Sequence, residues 1–372
     1  MPIFSKTVKL IQLCIMKKIA FQRRLLKWHK EQNLRQMPWK GEKDPYKVWL
    51  SEIILQQTRV EQGMAYYQNF TQAFPNIQSL ANAHEDTVYK LWEGLGYYSR
   101  CKNMLKTARL ITLENKGKFP DTYDGLVKLP GIGPYTAAAI ASFCFSLPYP
   151  VMDGNVFRVL ARVFKINLSS GTSEGKKYFS QLAGDLLDHQ KPGLYNQALM
   201  DFGATVCKHA LPLCVGCIFQ NSCGAYLENK VSDYPVKSKK IKLKERWFTW
   251  FIFCHRGKIY IQKRTSKDIW ENLFEFYLLE TNQSKDWSEK AVMKWLASEF
   301  ESMELSAIRI YPAQTQKLTH QLIHARFIEI MIQSPIKPQK QFKGNWVSRK
   351  QLDHTGFPAM IRNFLEKSIM LS

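Results

Sequence analysis

From residue 17 to about residue 226 the apolar positions recur at helical spacing, broken by short Gly/Pro turns, and no convincing period-two stretch interrupts them. This half reads as all-α. A helix begins at Asp44-Pro45, with Asp as N-cap and Pro in the first turn, and Tyr46, Trp49, Leu50, Ile53 and Ile54 form its apolar stripe. Glu52 lies beside that stripe, and continued helical spacing carries Gln56 and Arg59 along the same edge. From Asn229 to Arg246 the periodicity vanishes and lysine dominates, which marks an exposed connector able to brush phosphates. The composition then changes. RWFTWFIFC, GKIYIQKR, LFEFYLLET and QLIHARFIEIMI alternate with SEKAVMKWLASEF and FPAMIRNFLEK, strand-like and helix-like in turn, so the second half reads as α+β. No solenoid repeat is present.

The chain of 372 residues is long enough for two domains. We expect an N-terminal extension over 1–16, a helical domain over 17–226, a basic linker over 227–246 and a second domain over 247–372. Residues 1–15 lack the cleavage site of a signal peptide, and Met16 offers a natural start. Fifty-three Lys and Arg against 31 Asp and Glu give a formal charge of +22, a field that favours nucleic acid over a membrane surface as partner. No apolar run approaches the roughly 20 residues of a spanning helix. A reducing, cytoplasmic setting is expected, nucleoid-associated in a bacterium, where the eight cysteines serve as thiols or metal ligands.

Four of those cysteines, Cys207, Cys214, Cys217 and Cys223, follow C-x6-C-x2-C-x5-C, a spacing that wraps four thiolates around one inorganic centre. Zinc and an iron–sulfur cluster both satisfy this set, although zinc sites more often pair two C-x2-C knuckles. Cys14, Cys101, Cys144 and Cys254 are scattered and read as buried apolar side chains.

Upstream, TYDGLVKLPGIGPYTAAAIASF reads as helix, tight turn, helix, with Pro130 and Gly131 ending the first, Gly133 allowing close approach and Pro134 opening the second. Such a turn is either an ordinary αα-corner or, through its outward N–H groups, an anchor for a DNA phosphate. By local pattern Glu52 is a solvated helix-face residue or, flanked by apolar surface, a carboxyl of raised pKa. Asp153, in PVMDGNVFRVLARVF, reads as an N-cap that also keeps its charge as an anion. An acid with a raised pKa beside an ionised carboxylate is a division of labour suited to breaking a glycosidic bond.

The cysteine spacing and LPGIGPYTA resemble the iron–sulfur loop and hairpin of the endonuclease III, helix-hairpin-helix superfamily of DNA glycosylases. WLSEIILQQTRVE, GLGYYSRCKN, LPGIGPYTA, VMDGNVFRVLAR and NQALMDFGATVC, in order over most of residues 38 to 223, are similar to the motifs of the A/G-specific adenine DNA glycosylases, the MutY family. The resemblance implies an all-α helix-hairpin-helix domain with one 4Fe-4S cluster on a loop at 207–223, followed by a Nudix-like α+β domain. It implies a monomer acting on double-stranded DNA that holds adenine opposite 8-oxoguanine. Glu52 takes the place of the general acid and Asp153 that of the carboxylate stabilising an oxocarbenium ion, with Tyr135 and Asn155 as companions.

Gln56, Gln57, Thr58, Gly131 and Gly133 fall in DNA-contacting positions, and Gln57 and Tyr97 in those that insert into the duplex; by local pattern alone Tyr97 belongs to the core. Leu318-Thr319-His320 stands where the family has a lesion-reading Phe-Ser-His, so that Thr319 and His320 keep a hydroxyl and a ring while the aromatic face is lost; read locally, it is a polar strand end. Bifunctional relatives carry a lysine where this chain has Tyr135, which implies no Schiff base and no efficient lyase. The rivals are an endonuclease III-like lyase, a non-enzymatic damage binder and a Nudix hydrolase. The last is opposed by a helix near Ser288 to Phe300 with only Glu289 and Glu299 to hold a metal.

Overall fold

The computed structural model describes residues 18–236, 243–300, 303–334 and 344–368. The proposed N-terminal extension, together with Cys14, lies outside them, as does the middle of the basic connector. Contacts divide the chain into two compact units, Met1–Ala81 with Lys106–Lys239, and Asn82–Leu105 with Lys240–Ser372.

The first unit is helical among its described residues. Helix α1 runs through 18–31, followed by α2 (Pro45–Leu55), α3 (Val60–Ala73) and α4 (Ile77–Ala81). Helices α5 (Glu85–Trp92) and the first part of α6 (Tyr98–Glu114) belong to the second unit. The first unit resumes with α7 (Tyr123–Val127), α8 (Pro134–Cys144), α9 (Gly154–Val163), α10 (Ser173–Leu186), α11 (Pro192–Thr205) and the single turn α12 (Gly224–Leu227). Its core joins α1, α9, α10 and α11 through Leu25, Trp28, Leu160, Phe179, Phe202 and Phe219, all buried.

Local chemistry explains the ends that matter. The Asp44 carboxylate accepts the Tyr46 N–H at 2.9 Å and Pro45 follows, which opens α2. Tyr46, Trp49, Leu50, Ile53 and Ile54 are all buried, as their stripe requires. That helix stops at Leu55, so Arg59 does not continue its edge; Arg59 instead caps α3 and is exposed. In the hairpin, α7 ends at Val127, several residues before Pro130. Gly131 adopts φ +76°, a left-handed turn that disfavours any side chain. A Cβ on Gly133 would meet no atom of the protein, so close approach there is available only to something outside the chain.

The second unit is built on a mixed sheet. Strands β1 (Lys244–His255), β2 (Lys258–Lys263), β3 (Phe274–Glu275), β4 (Tyr277–Thr281), β5 (Leu305–Ile310), β6 (Gln314–Lys317), β7 (Gln321–Ile332) and β8 (Asn345–Ser348) lie in the order β3-β2-β1-β7-β5, with β4 on β1, β6 on β7 and β8 on β2. The β1–β7 pair is parallel and the remaining pairs are antiparallel. β1 is a nearly unbroken apolar run because β7 flanks one edge, β4 and β2 share the other, and both faces are covered. Helix α13 (Glu289–Glu299), capped by Ser288, lays Trp295 on Phe251 with ring centroids 3.9 Å apart. Helices α14 (Arg349–Asp353) and α15 (Ala359–Ser368) follow, and Phe364 stacks on Phe327 of β7 at 4.0 Å. Strands β5, β6 and β8 carry too little apolar alternation to stand out in sequence; pairing with β7 and β2 creates them. Cys101 and Cys254 are buried as expected, whereas Cys144 is only partly so.

Candidate active site and recognition cavity

In the first unit α2, α8, α9 and α11 surround a cavity of about 890 Å³. Eight of the residues singled out from sequence line it: Glu52, Gln56, Gln57, Thr58, Gly133, Tyr135, Asp153 and Asn155. Glu52 is only 6% exposed, so the solvated-face reading fails. Burial pushes its carboxyl up to about 7, the Tyr135 hydroxyl opposes this by donating a hydrogen bond, and the charge of Asp153 adds to it. Burial, then the Glu52 charge, raises the Tyr135 phenol well above its usual range, which keeps it a neutral donor. Gln56 ties the end of α2 to α8 by donating to Thr136 Oγ1 at 3.3 Å. Gln57 is exposed with φ +58°, a left-handed conformation unusual for a residue with a side chain.

Asp153 caps α9. Its Oδ1 accepts the Val156 N–H at 2.7 Å and its Oδ2 accepts Asn155 Nδ2 at 2.6 Å. Burial raises this carboxyl above its ordinary value, and these hydrogen bonds and the charge of Arg158 pull it back in part. Arg158 was not foreseen. Its guanidinium donates to Asn155 Oδ1 at 2.7 Å, the Gly203 carbonyl at 2.7 Å and the Cys207 carbonyl at 2.8 Å, so one side chain joins the head of α9 to the end of α11 and the cysteine loop. Gly203 is needed at that junction, since a Cβ would stand 2.7 Å from Asn155 Cβ. Asp201 was missed too. Fully buried, it accepts from Arg35 at 2.9 Å, Lys40 at 3.1 Å, Asn33 at 2.8 Å and Gln197 at 3.0 Å, and so fixes the cavity wall around Arg35 to Lys40. The signal was an acidic residue inside the apolar run NQALMDFG, which only a buried partner set explains.

Cys207, Cys214, Cys217 and Cys223 line one narrow cavity with Arg162, Phe202 and Phe219. Burial, and then the neighbouring thiols, raise Cys217 to about 11. Arg162 Nη1 stands 3.5 Å from Cys207 Sγ and donates to the Lys208 carbonyl at 2.7 Å. No group of three or more His, Cys, Asp or Glu among the described residues is closed into a ligand cage. Four soft thiols on one cavity beside a guanidinium nonetheless fit a centre that needs thiolate ligands and carries negative charge.

The remaining candidates lie elsewhere. Gly131 does not line the large cavity, and Tyr97, Thr319 and His320 belong to the second unit. There they line a cavity of about 510 Å³. Tyr97 is 42% exposed with φ +49°, so it is not a core residue; its hydroxyl pairs with Thr319 Oγ1 and its ring lies 5.5 Å from the Arg100 guanidinium. Leu318, Thr319 and His320 form the turn between β6 and β7 rather than a strand end, with the Leu318 N–H bonded to Gln321 O at 2.8 Å.

The chain matches the HhH-GPD superfamily of base excision DNA repair proteins over residues 50–183 and a NUDIX domain over residues 249–367. Fold and site therefore define a base excision repair DNA glycosylase of the helix-hairpin-helix type followed by a Nudix-like domain. The chain is 34% identical to an adenine DNA glycosylase of Buchnera aphidicola subsp. Acyrthosiphon pisum (strain APS), across 94% of this chain and 98% of that protein. It is 42% identical to an adenine DNA glycosylase of Mus musculus across 56% of this chain and 42% of that one. Among solved structures, a thermostable thymine-DNA glycosylase is similar at 26% identity and a TM-score of 0.53, covering 58% of this chain and 99% of its own. The chain belongs to the adenine DNA glycosylase family.

Proposed function

We propose that this protein is a monofunctional glycosylase that hydrolyses the N-glycosidic bond of adenine mispaired with 8-oxoguanine or guanine in double-stranded DNA. The observation that carries the reading is Glu52, a carboxyl buried in the wall of the large cavity with its pKa near neutrality, sharing that cavity with Asp153.

Adenine is a poor leaving group as an anion. Protonated Glu52 delivers its proton to a ring nitrogen of the extruded base, and the electron pair of the C1′–N9 bond departs with the neutral adenine. Positive charge then develops on the sugar. Asp153, held in place by the Val156 N–H and the Asn155 amide, balances it. Glu52, now a carboxylate, accepts a proton from the water whose oxygen bonds to C1′, and the acid is restored. Tyr135 holds the Glu52 carboxyl and supplies no amine for a Schiff base. The lysines lining the cavity, Lys40 and Lys43, are bonded to Asp201 and to the Phe143 carbonyl.

Gln57 and Tyr97 enter the duplex where the base has left, and the Gly131 to Gly133 turn holds a phosphate of the backbone. Thr319 and His320 read the base opposite adenine. Cys207, Cys214, Cys217 and Cys223 would hold one 4Fe-4S cluster, which would fix the shape of the basic loop that carries them, and the protein works as a monomer in the cytoplasm.

Release of adenine is measured in single turnover over a panel of base pairs, with and without alkali to reveal abasic sites. Adenine opposite 8-oxoguanine should be cleaved, with strand breaks only after alkali. A Glu52→Gln variant should bind the duplex yet lose about 10² to 10⁴-fold in rate. Full activity in that variant, or robust borohydride trapping of the wild type on DNA, sinks the mechanism.

A further inference from the structure

Arg246, near the start of β1, is only 7% exposed. A guanidinium has five N–H groups, and here all five are used. Nε and Nη2 donate to the two carboxylate oxygens of Glu280 at 2.6 and 2.7 Å. Nη1 and Nη2 donate to the two oxygens of Asp268 at 2.9 and 2.7 Å. The second Nη1 hydrogen goes to Gln321 Oε1 at 3.1 Å. The guanidinium also lies over the Phe248 ring at 4.8 Å.

Two of those partners line the recognition cavity, and they come from different segments of the chain. Asp268 begins the wall that continues through Glu271, and Gln321 closes the turn that carries Thr319 and His320. The Asp268 wall needs holding. Trp270 and Asn272 have φ of +61° and +71°, left-handed conformations that side-chain-bearing residues rarely keep unaided. Arg264 grips the same loop from beneath, bonding Asp268 at 3.2 Å, Glu275 at 2.6 Å and the Ile269 carbonyl at 3.1 Å. Arg246 alone among these joins the loop to the turn.

We propose that Arg246 is a positioning residue for discrimination of the base opposite adenine, holding the Asp268–Glu271 wall and the Leu318–Gln321 turn at one fixed separation. This rests on the reading that Thr319 and His320 contact that base. Discrimination between 8-oxoguanine and guanine depends on contacts differing by single atoms, so a wall free to shift blurs it without abolishing binding. A lysine keeps the charge but has three N–H groups and no planar fork, and cannot serve three acceptor groups this way.

The test compares dissociation constants for duplexes with adenine opposite 8-oxoguanine and opposite guanine, in a Glu52→Gln background that leaves the substrate intact. Arg246→Lys should compress the ratio of the two constants by about tenfold. With Glu52 restored, the single-turnover excision rate at saturating enzyme should stay within about twofold of the parent. A folded variant with an unchanged ratio overturns the proposal, because a merely structural clamp would weaken both duplexes equally. If Arg246→Lys does not fold, Asp268→Asn cuts the same link from the loop side, and an unchanged ratio there overturns it likewise. Thr319→Ala and His320→Ala are run in parallel. An unaltered ratio in both removes the underlying reading, whereas a ratio altered in them and kept in Arg246→Lys removes only the role of Arg246.

Discussion

At Glu52 a single burial decides the chemistry. The folded-state pKa of about 7 lies above the ordinary carboxylate value of 4.5, so between these two pH values folding takes up a proton. Stability contributed by this group is present below the lower value and is lost as pH rises through about 7. Glu52→Gln removes that loss. The variant should therefore melt higher than the wild type at pH 8 and gain less at pH 5, a difference of the order of a few kcal/mol that pH-dependent melting curves measure. Excision should fall as pH rises through the same region, since the acid must be protonated to act. Sequence placed Glu52 beside an apolar stripe but left its exposure open; the cover comes from α8 and Tyr135, more than eighty positions away. Asp153 teaches the converse. Its cap was readable from VMDGNV, while its raised pKa follows from burial that local sequence does not record.

In the proposed mechanism helix α9 couples capping to catalysis, and the two roles separate by substitution. Asn caps a helix about as well as Asp, whereas Ala forfeits about 0.5–2 kcal/mol. Asp153→Asn should keep the melting temperature and lose most excision; Asp153→Ala should lose both. Equal melting temperatures for the two variants would mean that the bonds to Val156 and Asn155 contribute nothing to the helix start. One turn further along, Arg158→Met should loosen Asn155 and the Cys207 carbonyl together, lowering both the excision rate and thermal stability. A variant with native rate and stability would show that this link is idle. Element by element, the long helices and the strands β1, β2 and β7 were legible because their periodicity is carried by many side chains. The β6–β7 turn that holds Leu318-Thr319-His320 was not, because β6 is defined by its pairing with β7.

Over the whole chain, 53 basic residues against 31 acidic ones should make DNA affinity strongly salt-dependent. The logarithm of the association constant should fall linearly with the logarithm of salt concentration, and a flat plot would refute an electrostatic DNA surface. Anaerobically purified protein should absorb in the thiolate-to-iron charge-transfer region; a colourless protein with stoichiometric zinc would reassign the four cysteines. The sequence by itself determined the helical and α+β halves, the caps, the hairpin turn and the four cysteines. Each of these is a local matter, of repeat, of backbone freedom at Gly or Pro, or of short ligand spacing. The tertiary structure alone decided that 82–105 packs with the C-terminal unit and that Asp201, Arg158 and Arg246 are hubs. It alone decided that Glu52 is buried. Those depend on desolvation and on partners brought from distant parts of the chain, and a carboxyl or guanidinium carries no local mark of whether water will surround it.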